Sequence, residues 1–367
     1  MAFATSNHNP AWTRVIPLAS WVVLLMYWSM PDMPGVVALL CAGLLGSVIT
    51  AVHHAEVIAL KVGEPFGTLV LALSVTIIEV ALIVSMMLSA SNQQEAMALP
   101  RDTIFAAVMI ILNGIIGLSL LVGGRKNGIQ QFNLEGGTDA LCTTTVIVVI
   151  ALGLPNYVIS AEGPVYSRKQ LGFVALITLV LFTAFTLFQT MSRREYFAPI
   201  KAPAQLQVSH SHHEPSTKTA LTSLAFLLLA LIAVVLSAKG ISPSLEALLG
   251  RWGAPASILG IVIAAIVLMP EFTAAMRAAR DNRLQISLNL AIGSAIASIG
   301  LTIPAVAIVA LIMGWPLTLG LDAKSTVLLV LTLFVTAMSL RTGNTTFQPG
   351  LVHLMIFAVY LFFSFVP

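Results

Sequence analysis

The sequence is poor in charge: only 9% of its 367 residues are Asp, Glu, Lys or Arg, against about 25% in an ordinary soluble domain. With 58% hydrophobic residues and a mean hydropathy of +0.96, this excludes a soluble enzyme. It also excludes intrinsic disorder, which needs low hydrophobicity and high net charge. The chain holds two cysteines, Cys41 and Cys142, each inside an apolar run, so neither a disulfide framework nor a thiolate metal site is available. The first residues lack a basic region followed by a cleavage site, and the first apolar stretch reads as retained. The net charge of +3 would suggest nucleic acid in a soluble protein; here it points to basic cytoplasmic loops instead.

What the chain does have is length in its apolar runs. Stretches able to span a bilayer fall at 15–30, 36–59, 66–90, 103–123, 140–159, 170–190, 219–238, 254–276, 284–313, 324–340 and 349–366, each near the roughly 20 residues a helix needs to cross. Transmembrane strands would show alternating segments of about ten residues, and none occur. The expected fold is therefore all-α and polytopic, with eleven transmembrane helices. Connections are short except the polar stretch from Arg193 to Lys218, which contains Pro199, Pro203 and Pro215. It divides the chain into a tail and extra helix (1–35), a five-helix repeat (36–192), a linker (193–218) and a second five-helix repeat (219–367). Five helices per repeat is odd, so the repeats must be inverted across the membrane. Eleven spans place Arg101, Arg168, Lys169, Lys239, Arg251 and Lys324 on one side and the other twelve of the 18 Lys and Arg on the N-terminal side. Positive charge stays inside, so the N-terminus is expected in the cytoplasm and the C-terminus outside.

Two acidic residues fall within spans: Glu79 in the middle of the third and Glu271 deep in the eighth. A charge at the bilayer centre costs about 2.5–3.5 kcal/mol on insertion scales and usually lines a cavity or pathway. A single such glutamate could be a protonated group hydrogen-bonded between helices; two in corresponding spans of two repeats weaken that reading. Ser74 and Thr76 precede Glu79, and Pro270 precedes Glu271. A proline inside a helix frees a carbonyl, which lipid tolerates only where something else binds it. Each glutamate span is followed by one with small residues near its middle, Asn113 to Gly124 and Gly293 to Pro304. Facing carboxylates with hydroxyls and freed carbonyls would make an oxygen-only site, which suits Ca2+ and not the softer transition metals. Close carboxylates also retain protons, so protons and cation compete. The residues alone lead to a cation/proton antiporter.

The segment AEVIALKVGEPFGTLVLALSVTIIEV (Ala55 to Val80) resembles the calcium/cation antiporter superfamily in its cation/proton exchanger branch, and within it the bacterial Cha-type sodium/calcium–proton antiporters. Glu56, Lys61, Gly63, Gly67 and Glu79 carry the likeness in the first repeat; Glu271, Asn289, Gly293, Ser294 and Pro304 carry it in the second. The resemblance implies an eleven-helix secondary transporter that exports Ca2+ in exchange for H+, with Na+ or K+ as further cargo, and no cofactor. Glu79 and Glu271 take the positions of the family's cation- and proton-binding pair. The branch's Gly-Asn before each glutamate is replaced by Val75-Thr76 and Val267-Leu268, and the partner-helix polar positions are Leu118 and Ala297. Carbonyls, Thr76, Ser294, Asn113 or water must then complete the shell, with Pro270 and Gly293 shaping it. The acidic stretch common between the family's halves is replaced by VSHSHHEPSTK.

His210, His212 and His213 could bind a metal but read better as a solvated linker, since metal ligands need a fold to fix them. His53 and Glu56, near the end of the second span, form a candidate entry for protons or cations, or equally an interfacial cap. His353 reads as a packed, hydrogen-bonded residue. A passive channel would leak without a pH gradient. An intramembrane enzyme would use the two glutamates as acid and base, but its usual marks are missing: no H-E-x-x-H occurs and the aspartates lie in or beside loops. The expected partners are inorganic cations, protons and the lipid bilayer, in a bacterial inner membrane.

Overall fold

The computed structural model describes residues 9–31, 33, 35–63, 66–90, 92–197, 215–255 and 257–366. The linker histidines His210, His212 and His213 lie outside the described residues. Among those described, ten helices are long and apolar enough to cross a membrane, and one bent pair makes up to eleven. The described residues are helical apart from their loops and two two-residue strands. The chain's packing falls into two units, 1–96 with 208–253, and 97–207 with 254–367; each draws on both sequence halves.

The first unit contains α1 (Ala11–Ser29), α2 (Val36–Val62), α3 (Phe66–Ser89) and α9 (Thr217–Trp252). Its core is the seam between α2 and α9, with Leu40, Leu44, Val48 and Ala51 buried on α2 and the small residues Ala230, Ala233 and Ala238 buried on α9. α1 joins this seam through polar contacts. The Ser20 hydroxyl donates to the Gly43 carbonyl at 3.0 Å, and the Trp21 indole donates to the Leu229 carbonyl at 3.2 Å. Pro17, inside α1, has no N–H for the Thr13 carbonyl four residues back. The buried His54 of α2 supplies the donor, with Nε2 3.0 Å from that oxygen. The seventh span is much longer than expected: α9 has 36 residues, about 54 Å at 1.5 Å per residue. It runs through Lys239 and Pro243 into what read as a loop.

The second unit is organised around α4 (Gln93–Met109, from Met97 onward) and α5 (Ile116–Asn127). A π-helical turn, Ile110–Ile115, joins the two into one span. Residues 103–117 of that span are almost all buried, as an all-round apolar helix should be. The unit also holds α6 (Leu134–Val148), α7 (Arg168–Leu187), α8 (Arg194–Phe197), α10 (Ser257–Val267), α11 (Met269–Arg280), α12 (Leu284–Met313), α13 (Ala323–Leu340) and α14 (Phe347–Phe365). The loops after α5 and α13 pair as a two-stranded antiparallel ribbon, β1 (Gln130–Gln131) with β2 (Asn344–Thr345). α6 ends in a second π-helical turn, Val149–Gly153, whose Ile150 carbonyl accepts the Tyr166 hydroxyl at 2.5 Å. Burial pushes the Tyr166 phenol up to about 12, so it remains a donor throughout the physiological range.

Several boundaries differ from the sequence reading. The fourth span begins ten residues early, because Pro100 and Asp102 are accommodated in the first turns of α4. Asp102 and Asp139 thus sit in helices and not in loops, Asp102 paired with Arg101 at 2.7 Å. The eighth span is broken, and Glu271 lies at the break and not deep in a continuous helix.

Glycine sets the closest approach in the second unit. At Gly350 of α14 an added Cβ would lie 2.5 Å from the Leu121 nitrogen and 2.6 Å from the Gly117 oxygen, both backbone atoms that cannot swing aside. Gly350→Ala should therefore cost about 1–3 kcal/mol, as overpacked sites do. Gly172→Ala, in an α7 position with open space, should be neutral or gain up to about 1 kcal/mol from helix propensity. Thermal unfolding in detergent compares them; equal melting temperatures would show that α5 and α14 are not locked at this point.

Candidate functional site

In the first unit Glu79 lies midway along α3 and is only 1% exposed. Thr76, three residues earlier, occupies the same helical face and is also buried. Its hydroxyl donates to the Ala72 carbonyl at 2.9 Å, so its oxygen lone pairs stay available as an acceptor beside the carboxylate. Ser74 likewise donates to Val70 at 2.8 Å, but five residues from Glu79 it points to another face. α3 runs unbroken through this region; Glu79 is held by a rigid rod. On α2, the neighbour of α3, Glu56 is exposed and His53 is half-buried against the Trp12 ring at 5.5 Å. The sequence grouped His53 with Glu56 as an entry point. The structure adds that His54, its neighbour, is the fully buried one, stacked on Phe226 at 5.6 Å.

In the second unit Glu271 belongs to a different local geometry. α10 and α11 meet at a 55° bend, with Leu268 (φ −84, ψ 0) as the residue between them. The Leu268 N–H still reaches the Ala264 carbonyl at 2.9 Å and the Phe272 N–H reaches Leu268 at 2.9 Å. Pro270 and Glu271 occupy the first turn of α11. Proline belongs there because the first turn needs no N–H from it, and a carboxylate there sits beside the unpaired N–H groups and positive end of the helix dipole. The Thr273 hydroxyl donates to the Pro270 carbonyl at 2.8 Å, within the same turn. α11 packs against α12 and against the π-helical turn, so Glu271, Asn113, Gly293 and Ser294 come from mutually packed elements. Gly293 faces open space, with nothing within 4 Å of an added Cβ. It also lines a narrow cleft between α6, α7 and α12 that Phe197 and Asn289 close, the Asn289 amide donating to the Phe197 carbonyl at 2.6 Å.

Asn113 is fully buried and its amide is engaged at both ends. Its Nδ2 donates to Thr332 Oγ1 at 2.9 Å and its Oδ1 lies 3.1 Å from His353 Nδ1. Neither Thr332 nor the link to His353 was visible in the sequence; only the rarity of buried polar side chains in apolar spans hinted at them. A separate cavity of about 190 Å³ is lined by Arg101, Asp102, Asp322, Lys324 and Tyr360. Its two carboxylates are matched by two cationic side chains, so it offers no net attraction for a cation. Among the described residues no three His, Cys, Asp or Glu side chains cluster as a metal site.

An all-helical, polytopic scaffold with ionisable carboxylates inside its spans defines a membrane transporter, and comparison with known proteins gives the class as an exchanger-type cation antiporter. The chain belongs to the sodium/calcium exchanger protein family, whose sequence pattern matches residues 33–191 and 222–366. It is 42% identical over 365 residues to the ionic transporter y4hA of Sinorhizobium fredii, covering 99% of this chain and 98% of that one. It is 35% identical over 361 residues to the sodium-potassium/proton antiporter ChaA of Escherichia coli, covering 98% and 97%. Among solved structures, native YfkE superposes with a TM-score of 0.72 at 17% identity, over 97% of this chain and 99% of that one. The H+/Ca2+ exchanger CAX gives 0.68 at 16%, over 96% and 89%. These two establish the fold. The relatives are transporters and not enzymes.

The bend makes a prediction. Pro270→Ala restores an N–H that lets α10 continue into α11, and should leave thermal stability unchanged or raised while lowering cation exchange at least about tenfold, since an internal proline is what disfavours a straight helix. Undiminished exchange in proteoliposomes would mean that packing alone sets the bend.

Proposed function

We propose that this antiporter exports Ca2+ in exchange for H+ across a bacterial inner membrane, with Na+ and K+ competing for the same carboxylates. The observation that carries the reading is the placement of ionisable carboxylates inside apolar spans: Glu79, 1% exposed on α3, and Glu271 at the broken α10–α11 span. Each is costly to keep charged in a membrane unless a cation or a proton compensates it. An ionised pair without a cation is strongly disfavoured, so loss of the cation is coupled to protonation. A divalent cation offsets both negative charges at once, and the available donors, carboxylates, the Thr76 and Ser294 hydroxyls and backbone carbonyls, are all oxygens, the ligand type Ca2+ takes. A relative's name supports the monovalent cargo, because ChaA is a sodium-potassium/proton antiporter. More distant plant relatives are named vacuolar cation/proton exchangers. His53 and Glu56 serve as an entry point for ions on α2. The two halves, 36–192 and 219–367, act as inverted repeats, an arrangement that supports alternating access in secondary transporters.

The test is exchange by the purified protein in proteoliposomes, with Ca2+, Na+ and K+ compared at fixed pH gradients. Glu79→Gln and Glu271→Gln keep size and hydrogen bonding but remove one titrating charge, and each should abolish exchange without preventing membrane insertion. Glu→Asp at either position keeps the charge but shortens its reach and should weaken affinity more than turnover. Near wild-type exchange with undiminished pH dependence in either glutamine variant would refute the mechanism.

Orientation follows from the unequal distribution of Lys and Arg between the two sides. The linker from Arg193 to Lys218, the N-terminus and the basic loops are cytoplasmic, and the C-terminus is external. A reporter fused at Ser209 should be active only as a cytoplasmic fusion; activity of an externally folding reporter at that position would reverse the assignment of both ends.

A further inference from the structure

The second unit contains a buried polar chain that the exchange carboxylates leave unused. It starts at Ser339 near the end of α13, whose hydroxyl lies 3.2 Å from His353 Nε2. It passes through the fully buried His353 ring to Asn113 Oδ1 at 3.1 Å. From the other end of the same amide it reaches Thr332 Oγ1 at 2.9 Å, and Thr332 in turn contacts Met109 Sδ at 3.5 Å. Two hundred and nineteen residues separate Asn113 from Thr332 and 240 separate it from His353; the chain ties α13 and α14 to the π-helical turn Ile110–Ile115.

Two features decide what such a chain can do. The first is that it cannot conduct protons. Asn113 donates through Nδ2 and accepts through Oδ1, so His353 must donate from Nδ1 and accept the Ser339 proton at Nε2. A carboxamide interrupts proton hopping, because passing a proton through it would require an imidic acid tautomer. The second is where the turn lies. A π-helical turn has one residue more than the α-helix, with the Ile116 N–H reaching back to the Ile111 carbonyl, and such insertions recur at functional sites. This one packs against α11, which carries Glu271 in its first turn, and against α12, which carries Gly293 and Ser294. α14 also presses close to it. Phe357 lies 3.6 Å from an added Cβ at Gly114, and His353 Cβ would be 2.9 Å from one at Gly117. Left without its polar partners, Asn113 would place an unsatisfied amide in an apolar core, which costs about 1–3 kcal/mol in proteins. The network therefore fixes both the wide turn and the side of it that α11 and α12 meet.

We propose that His353 is a positioning residue for ion exchange: through Asn113 and Thr332 it holds the π-helical turn in the shape against which the Glu271 and Ser294 segments are set. Asn113 then serves the cation through the backbone it anchors, with its side chain committed to Thr332 and His353. This rests on the proposed role of Glu271, and it implies that His353 governs affinity for the cation without itself carrying protons.

The experiment uses the full-length protein in proteoliposomes and, separately, in detergent, with whichever of Ca2+, Na+ and K+ the wild type transports. His353→Phe keeps the ring and loses both hydrogen bonds; Asn113→Leu keeps the shape and loses the amide; the double variant loses both. Each single variant should raise the half-saturating cation concentration about 10–100-fold, the range found when groups that support metal ligands are removed. The double variant should be no weaker than the poorer single, because residues acting as one unit are not additive. His353→Gln, which retains a donor and an acceptor, should recover part of the affinity. At saturating cation the pH profile should keep its wild-type shape. Unchanged affinity in both singles, or penalties that multiply in the double, would overturn the proposal; a flattened pH profile would also do so, by making His353 a proton carrier. Should the Phe and Leu variants fail to fold, Thr332→Val, which removes only a hydroxyl, must reproduce the loss of affinity or the proposal falls. Cation-dependent increase in melting temperature gives the same comparison without transport. If wild type binds the cation yet exchanges nothing, the functional reading fails while the network is still tested by these melting shifts.

Discussion

Within an apolar span no polar group can turn to water, and most of this protein's local structure follows from that constraint. Helices meet it for their own backbones. Where the helix is interrupted, a side chain has to step in, because an unsatisfied group in hydrocarbon costs several kcal/mol. Pro17 leaves the Thr13 carbonyl unserved and His54 supplies the hydrogen. The π-helical turn after α6 takes the Tyr166 hydroxyl at Ile150, and the turn after α4 is tied by Asn113 to two other helices. Threonines such as Thr144, Thr178 and Thr336 return their hydroxyls to carbonyls one turn back, so they can be buried without needing a partner helix.

The same constraint gives the two glutamates their meaning. α3 is continuous, so Glu79 sits on a rod whose backbone needs nothing further. α10 and α11 are not, and Glu271 is found where helix ends, proline and carboxylate coincide. One carboxylate is thus presented by a stiff element and the other by a bent one. In the exchange proposed above, a cation at one moment and protons at another offset these charges, since either removes the penalty that bare carboxylates would carry.

Close helix contact complements this polar logic. Lipid supplies little hydrophobic force between spans, and packing must come from backbones that approach closely, which small residues permit. α5 and α14 meet at Gly117 and Gly350, and that approach is what brings His353 within reach of Asn113. Gly300 plays the same part for α12 against α7, where an added Cβ would lie 2.7 Å from Phe182 Cβ. Polar anchoring and glycine packing are two halves of one arrangement: the first fixes register, and the second sets the distance at which register can be read.

The sequence by itself determined the class of fold. Apolar runs of bilayer length, a shortage of charge and two lone glutamates were enough for a polytopic exchanger, because desolvation cost is a property of each residue and its immediate neighbours. Pro270 beside Glu271 marked a disturbed helix for the same local reason. Local composition could not show that α9 continues for 36 residues, since Lys239 and Pro243 read as the end of a span although a helix can carry both beyond the apolar core. Nor could it place the break at Leu268, the π-helical turns, or the partners of Asn113. A π-helical turn is stable only when neighbouring helices absorb its extra residue, and Asn113 chooses between solvent, backbone and a partner 219 or 240 residues away. Those choices depend on which helices lie side by side, and that was decided only by the tertiary structure.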